Sequence, residues 1–358
     1  MKTQKRNSGH GFSLVELLVS IAVGVMVFAA LSSLFKSALD STMVVMQRAE
    51  TQQNMRAAID LMVKDISMAG AGIPSGGIQL PNGGGASLSE YACDQGGTCH
   101  VPTFTYPNNN YMYGIIPGFS NGVEANAVIA AAPPPVINDS ITVVYADYNF
   151  PLWEYDVTFP VPGDGTNITL APDAAYVPAP PLITAAGGIQ VGDLIMLSNS
   201  LGTAVGEVTG LGPTSIAFAD ADPLNINQSG AALNNIAAIS TGANTIAYRL
   251  FAVTYYLTVP PAGQTPRLMR QVNGLAPVPV ADDIINLQFA YDIYNSADSV
   301  LDPNQPNPLA AGDSPNLIQK INIVVMGQSI INHGNKSQNM YLATSVSARN
   351  MAFRNRYQ

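Results

Sequence analysis

Glu16 is the only ionisable side chain between residues 12 and 35, a run that reads FSLVELLVSIAVGVMVFAALSSLF. A charged group on a helix at the centre of a bilayer costs about 2.5–3.5 kcal/mol, and somewhat less near the edge. A carboxylate kept in such a place marks a function by default, and its chemistry is pairing with a cation rather than proton transfer in water. The other candidates are sparser. Cys93 and Cys99 are the only cysteines, and His10, His100 and His333 the only histidines. Outside the cytoplasm the two cysteines are expected to oxidise to a bond closing a short loop, worth about 2–2.5 kcal/mol on the chain-entropy model. Their spacing lacks the two-residue gap of a redox or haem motif. His100 beside Cys99 suggests a metal, but no further ligand stands nearby to complete a set. Asp220 with Asp222, and Asp282 with Asp283, read as solvated loop acids, since neither pair has the regular spacing of a calcium loop. His333 lies in Asn-His-Gly-Asn, the composition of a turn.

The element that must carry Glu16 is a helix. The apolar run is about as long as the ~20 residues that cross a hydrocarbon core. Lys2, Lys5 and Arg6 precede it, and a positive flank holds the N-terminus in the cytoplasm. An ordinary secretory signal has a shorter apolar region closed by a small-residue cleavage site, and no such site interrupts the helical pattern here.

Gly11, Phe12, Ser13, Leu14, Val15 and Glu16, behind a short basic leader and ahead of an apolar helix, resemble the processing motif of type IV prepilins and type II secretion pseudopilins. The resemblance implies that a membrane-embedded prepilin peptidase cuts between Gly11 and Phe12, methylates the new amine, and leaves Glu16 at the fifth mature position. Gly11, without a side chain, lets the peptidase approach the scissile bond. In a growing filament the Phe12 amine of one subunit would lie beside the Glu16 carboxylate of a neighbour. A wrong register would leave both charges unpaired in an apolar core. Glu16 is thereby implied to be an assembly and register device.

The helical pattern continues beyond the apolar run, with Met55, Ile59, Met62 and Ile66 on one face. No proline occurs from residue 12 to 73, and Gly70, Gly72 and Pro74 supply a stop. A helix over 12–69 would be about 87 Å long, so its outer half must leave the membrane and pack on a head. Many major pilins carry a proline kink in the apolar half; this chain has Gly24 instead. After residue 72 the sequence turns to Gly, Pro and Asn punctuation, with 74–135 expected to be mostly loop, broken at 83–85, 108–110 and 133–135. Strands are expected at 140–149, 194–197, 202–209, 247–259, 267–272, 284–293, 317–326 and 340–347. The expected fold is α+β and type IV pilin-like, a long N-terminal helix on a mainly antiparallel sheet. Its parts are a cleaved leader (1–11), a transmembrane or filament-core half (12–35), an amphipathic outer half (36–72) and a β-rich extracytoplasmic head (73–358).

Within the head, GDLIMLSN (192–199), AVGEVTG (204–210), YRLFAVTYYL (248–257), PRLMRQVNG (266–274), DDIINLQFAYD (282–292) and SVSARNMAFRNR (345–356) look like the PilW family of minor pilins. That resemblance implies a low-abundance subunit that joins other minor pilins, above the major pilin, in a tip complex that starts assembly. It also implies insertion in the inner membrane, N-terminus cytoplasmic and head periplasmic, before passage to the pilus tip at the cell surface. The GspJ pseudopilins of type II secretion share the same plan. An adhesin or ligand-binding head on a pilin anchor is a further reading, from neutral loops rich in Tyr, Asn and Gly.

Composition bounds the rest. Of 358 residues 47% are hydrophobic and only 11% charged, with a net charge of −9. No Lys or Arg occurs between Lys64 and Arg249, so a phosphate-binding surface has almost nothing to be built from, and no nucleic-acid partner is expected. Arg349, Arg354 and Arg356 close the chain as a solvated tail. There is no Gly-x-Ser-x-Gly, His-Glu-x-x-His or Walker-type motif, and Gly70, Gly72 and Ser75 follow a helix rather than opening one, unlike a dinucleotide loop. Neither an enzyme nor a cofactor is expected.

Overall fold

A computed structural model describes residues 11–101, 110–121, 137–176, 183, 188–258, 266–295, 299–306, 314–329 and 338–351. The basic leader up to His10, the breakers at 108–109 and 133–135, His333, Arg354 and Arg356 lie outside the described residues.

Helix α1 spans Leu14–Ser67. Ser13 precedes it, and its carbonyl accepts the first helical bond from Leu17 N–H at 3.1 Å. The described chain falls into two units that meet at Glu50 and Thr51. In the first unit α1 has no buried residue. In the second it buries Thr51, Met55, Ala58, Ile59, Met62, Asp65 and Ile66, the spacing of one helical face. The helix ends two residues earlier than the pattern suggested, because Met68 and Ala69 tighten into bonds with Asp65 and Ile66. Gly70 (φ +75°) and Gly72 (φ +73°) then take left-handed conformations. A side chain on Gly72 would also collide with Ala146 and the Tyr148 hydroxyl.

The strands are β1 (Ile78–Gln79), β2 (Tyr111–Met112), β3 (Ile115–Gly118), β4 (Ser140–Asp147), β5 (Tyr155–Thr158), β6 (Asn167–Pro172), β7 (Leu194–Asn199), β8 (Gly202–Glu207), β9 (Gly210–Leu211), β10 (Ser215–Ala217), β11 (Ile246–Thr258), β12 (Arg267–Val272), β13 (Val278–Ala281), β14 (Ile284–Asn295), β15 (Val300–Gln305), β16 (Ile318–Ser329) and β17 (Gln338–Ser347). A short helix, α2 (Ile236–Ile239), is capped by the Asn235 side chain. The eight expected strands are present as β4, β7, β8, β11, β12, β14, β16 and β17. Of the remainder, β1, β2 and β3 lie in the stretch expected to be mostly loop, and the others are two to six residues long, too short for a strand pattern to stand out.

The large sheet runs β13-β12-β11-β4-β3, with β7 and β8 joined beside β11. Thirteen-residue β11 is its spine. One edge pairs antiparallel with β4 over Arg249–Tyr255, while the other pairs β7 in its first half and β12 in its second. A second sheet runs β15-β14-β16-β17 and a third β5-β6-β10-β9. From Thr51 onward α1 is packed among residues of the first two sheets, in a core that includes Met62, Ile66, Tyr255, Leu287, Phe289, Ile323 and Val325. Gly327 on β16 permits that approach, since a Cβ there would lie 2.5 Å from Met55 Sδ. The fold is a long apolar N-terminal helix followed by antiparallel sheets, an α+β, type IV pilin-like plan.

Candidate functional site

The sequence Ser13-Leu14-Val15-Glu16 has the form of a capping box. Ser13 N–H donates to Glu16 Oε2 at 3.0 Å. The carboxylate thus folds back over the first turn of α1, where it satisfies an orphan backbone donor and faces the positive end of the helix dipole. Its partner Ser13 directly follows Phe12, which is 87% exposed. A Cβ built on Gly11 would meet nothing within 4 Å. The fold itself therefore places no demand for glycine at position 11; a requirement there has to come from another molecule that approaches the Gly11–Phe12 bond.

Every large apolar side chain from Phe12 to Phe35 is more than half exposed, and Leu39, Met43, Val45 and Met46 are exposed as well. Among the described residues this is the one helix long and apolar enough to cross a membrane. Such a surface needs lipid or neighbouring helices to cover it.

Residues 6–32 match the family described as the prokaryotic N-terminal methylation motif. The N-terminus is that of a type IV pilin-like or pseudopilin protein. No curated protein and no solved structure matches the chain. The motif puts it in the context of prepilin-peptidase processing and pilus assembly, as a structural subunit, and the single apolar helix fits a membrane-anchored pilin.

Cys93 and Cys99 are disulfide-bonded. Asp94 braces the closed loop by accepting from Gly96 and Thr98 N–H, which with the nearby His100 holds its carboxyl below the usual range. The Glu90 carboxylate lies within 4.8 Å of both sulfurs, but sulfurs bonded to each other offer no thiolate. His100 stacks on the Tyr256 ring and faces Asp94 at 3.4 Å. The loop also carries Gln95 onto Glu207, to which it donates at 2.5 Å. Glu207 is fully buried, and burial together with the adjacent Asp222 carboxylate pushes it up to about 9.

The paired acids of the sequence are loop ties. Asp220 accepts from Ser229 N–H and Oγ, and Asp222 from Ile226 and Asn227 N–H. Asp282 pairs with Arg267 at 2.7 Å on the surface.

One polar cluster escaped sequence reading. Asp65, on the core face of α1, accepts from Tyr145 Oη at 3.1 Å, Tyr255 Oη at 2.6 Å and Arg270 Nε at 2.8 Å. Its partners come from β4, β11 and β12, so one carboxylate ties the helix to three neighbouring strands. Burial and then the Asp65 charge push both phenols upward, keeping them neutral donors. Burial alone would lower the Arg270 guanidinium, but Asp65 and Tyr255 hold it above its ordinary range. The only sequence signal was a lone acid, Asp65, beside the apolar stripe at Met62 and Ile66.

Proposed function

We propose that this protein is a minor pilin resembling PilW, a low-abundance subunit that helps to start type IV pilus assembly in a tip complex with other minor pilins. On this reading prepilin peptidase removes residues 1–11, residues 12–35 lie first in the inner membrane and then in the filament core, and 36–72 connect them to the head at 73–358. Before assembly the N-terminus is cytoplasmic and the head periplasmic; afterwards the head stands at the tip, above the major pilin.

The observation that carries the reading is the first turn of α1. Glu16 is already aimed back toward residues 12 and 13 by its bond to Ser13 N–H. Cleavage after Gly11 would put an ammonium at Phe12, within the same turn. In a filament the exposed apolar helices would cover one another, and Glu16 would be exchanged from its own helix cap to the Phe12 amine of a neighbour. A subunit out of register would leave two buried charges unpaired.

Intact-mass and N-terminal peptide analysis of the protein from sheared surface filaments and from inner membranes tests this. A chain starting at methylated Phe12 in the filament fraction is the expected result. A processed chain confined to the envelope would favour the second reading, a GspJ-like pseudopilin of type II secretion, which uses the same N-terminal chemistry. A chain still carrying residues 1–11 in both fractions would refute both.

A further inference from the structure

Between β4 and β5 the chain reads Tyr148-Asn149-Phe150-Pro151-Leu152-Trp153-Glu154-Tyr155. Phe150, Leu152 and Tyr155 turn inward to one apolar core. Tyr148 and Trp153 belong to none of the cores. They gather instead at the rim of the head with Tyr248 of β11, Trp153 and Tyr248 half-buried and Tyr248 packed against the core that holds Leu194 and Leu250. The Trp153 ring lies 6.0 Å from Tyr248 and 5.9 Å from Tyr148, and Tyr148 stands edge-on to Tyr248 at 6.4 Å. The turn that follows β6 hangs from the Glu154 carbonyl by Asp173 N–H. Tyr148 is 53% exposed, and its hydroxyl lies over Gly72, just past the end of α1.

The polar groups of this cluster are unspent. Among the described residues, the Trp153 indole N–H, the hydroxyls of Tyr148 and Tyr248 and the Glu154 carboxylate make no hydrogen bond. Aromatic faces are negative and take up the weakly positive C–H face of a pyranose, while N–H, O–H and carboxylate groups at their edges match its hydroxyls. Tyr248 rests with its inner side on the core of Ile73, Ile78, Leu194 and Leu250, while Asn149, Glu154 and Asp173 stand between the rings along the chain and supply polar groups at the rim. Arg249, the neighbour of Tyr248 on β11, lies over the Phe150 and Phe251 rings and is bonded to Asp147. No Lys or Arg occurs between Lys64 and Arg249, so the segment that carries Tyr148 and Trp153 has no cation of its own to neutralise an acidic sugar.

We propose that Tyr148, Trp153 and Tyr248 form a binding platform for a short neutral saccharide. The site is independent of the tip role argued above. Trp153 is the only tryptophan in the chain, so its emission reports on the platform directly. The full-length protein would be placed in phospholipid nanodiscs, free of sugar-based detergent, and titrated with maltotriose, cellotriose, chitotriose and lactose, then applied to a glycan array. At least one neutral saccharide should shift or quench the emission saturably. Tyr148→Ala should weaken that ligand about tenfold, as loss of one aromatic contact does, and Tyr148→Phe should retain most of the affinity. Trp153→Ala should abolish array binding. Calorimetric unfolding like that of the wild type would show that both variants remain folded, as expected for residues outside the cores. A blank array with no emission change, binding confined to anionic glycans, or affinity unaltered in both alanine variants would each overturn the proposal.

Discussion

Replacing Asp65 with Asn should weaken the attachment of α1 to the large sheet by about 3–5 kcal/mol, the usual cost of breaking a buried pair from one side. The size follows from the geometry. The Asp65 side chain is 5% exposed and that of Arg270 26%, so solvent can do little to compensate. Asp65 accepts from two phenols and a guanidinium, whereas Asn keeps one acceptor oxygen and turns an NH2 toward groups that are themselves donors. At least one donor is then unpaired and the Arg270 charge uncompensated. Thermal and urea unfolding of the full-length protein, followed by Trp153 emission, would measure it. At about 2–4 °C per kcal/mol for a domain of 150–250 residues, the midpoint should fall by roughly 6–20 °C. Arg270→Met removes the orphaned cation, so the double variant Asp65→Asn/Arg270→Met should be more stable than the sum of the single changes implies, by about 1–3 kcal/mol. An Asp65→Asn midpoint close to that of the wild type, or strict additivity in the cycle, would refute the assignment of this carboxylate as the tie between helix and sheet.

Glu207 sets a pH dependence. Its folded pKa of about 9 lies above the ordinary value of 4.5, so between those limits the folded chain binds more protons than the unfolded one, and stability falls as pH rises. Asp139, pushed up to about 6 by burial, adds to the lower part of that range. Urea unfolding at pH 7 and pH 8.5 should show a loss of up to about 1.4 kcal/mol per pH unit, and Glu207→Gln should flatten it; a slope unchanged by that substitution would count against a protonated Glu207. Reducing Cys93–Cys99, or the variant Cys93→Ser, should cost about 2–2.5 kcal/mol, measured in the same assay, and release Gln95 from Glu207. Gly11→Leu should leave a membrane-held precursor with the leader attached, seen by mass, because position 11 is open within the fold and only the peptidase can reject the side chain. Glu16→Ala should be cleaved normally but depleted from sheared filaments on immunoblots; full incorporation would sink its role in register.

What could be read from the residues alone was whatever local order dictates. The Gly11-Phe12-Glu16 spacing, the unbroken run from 12 to 67 and the glycine stop are contiguous, and a helix repeats its environment every few residues, so sequence suffices for α1 and for the candidate processing site. Long β-branched and aromatic runs likewise announced β11, β14 and β16. Two-residue strands such as β1 and β2 pair with each other across a long connection, and nothing in their own residues sets that partner. The same limit hid Asp65. Its value depends on Tyr145, Tyr255 and Arg270, which are 80 to 205 positions away along the chain. Only tertiary packing, by excluding water from that point on the helix face, turns an ordinary acid into a tie. Only it, too, sends Phe150 and Tyr155 into the core while leaving Tyr148 and Trp153 outside, because which aromatic residues remain on the surface is decided by the other strands they meet.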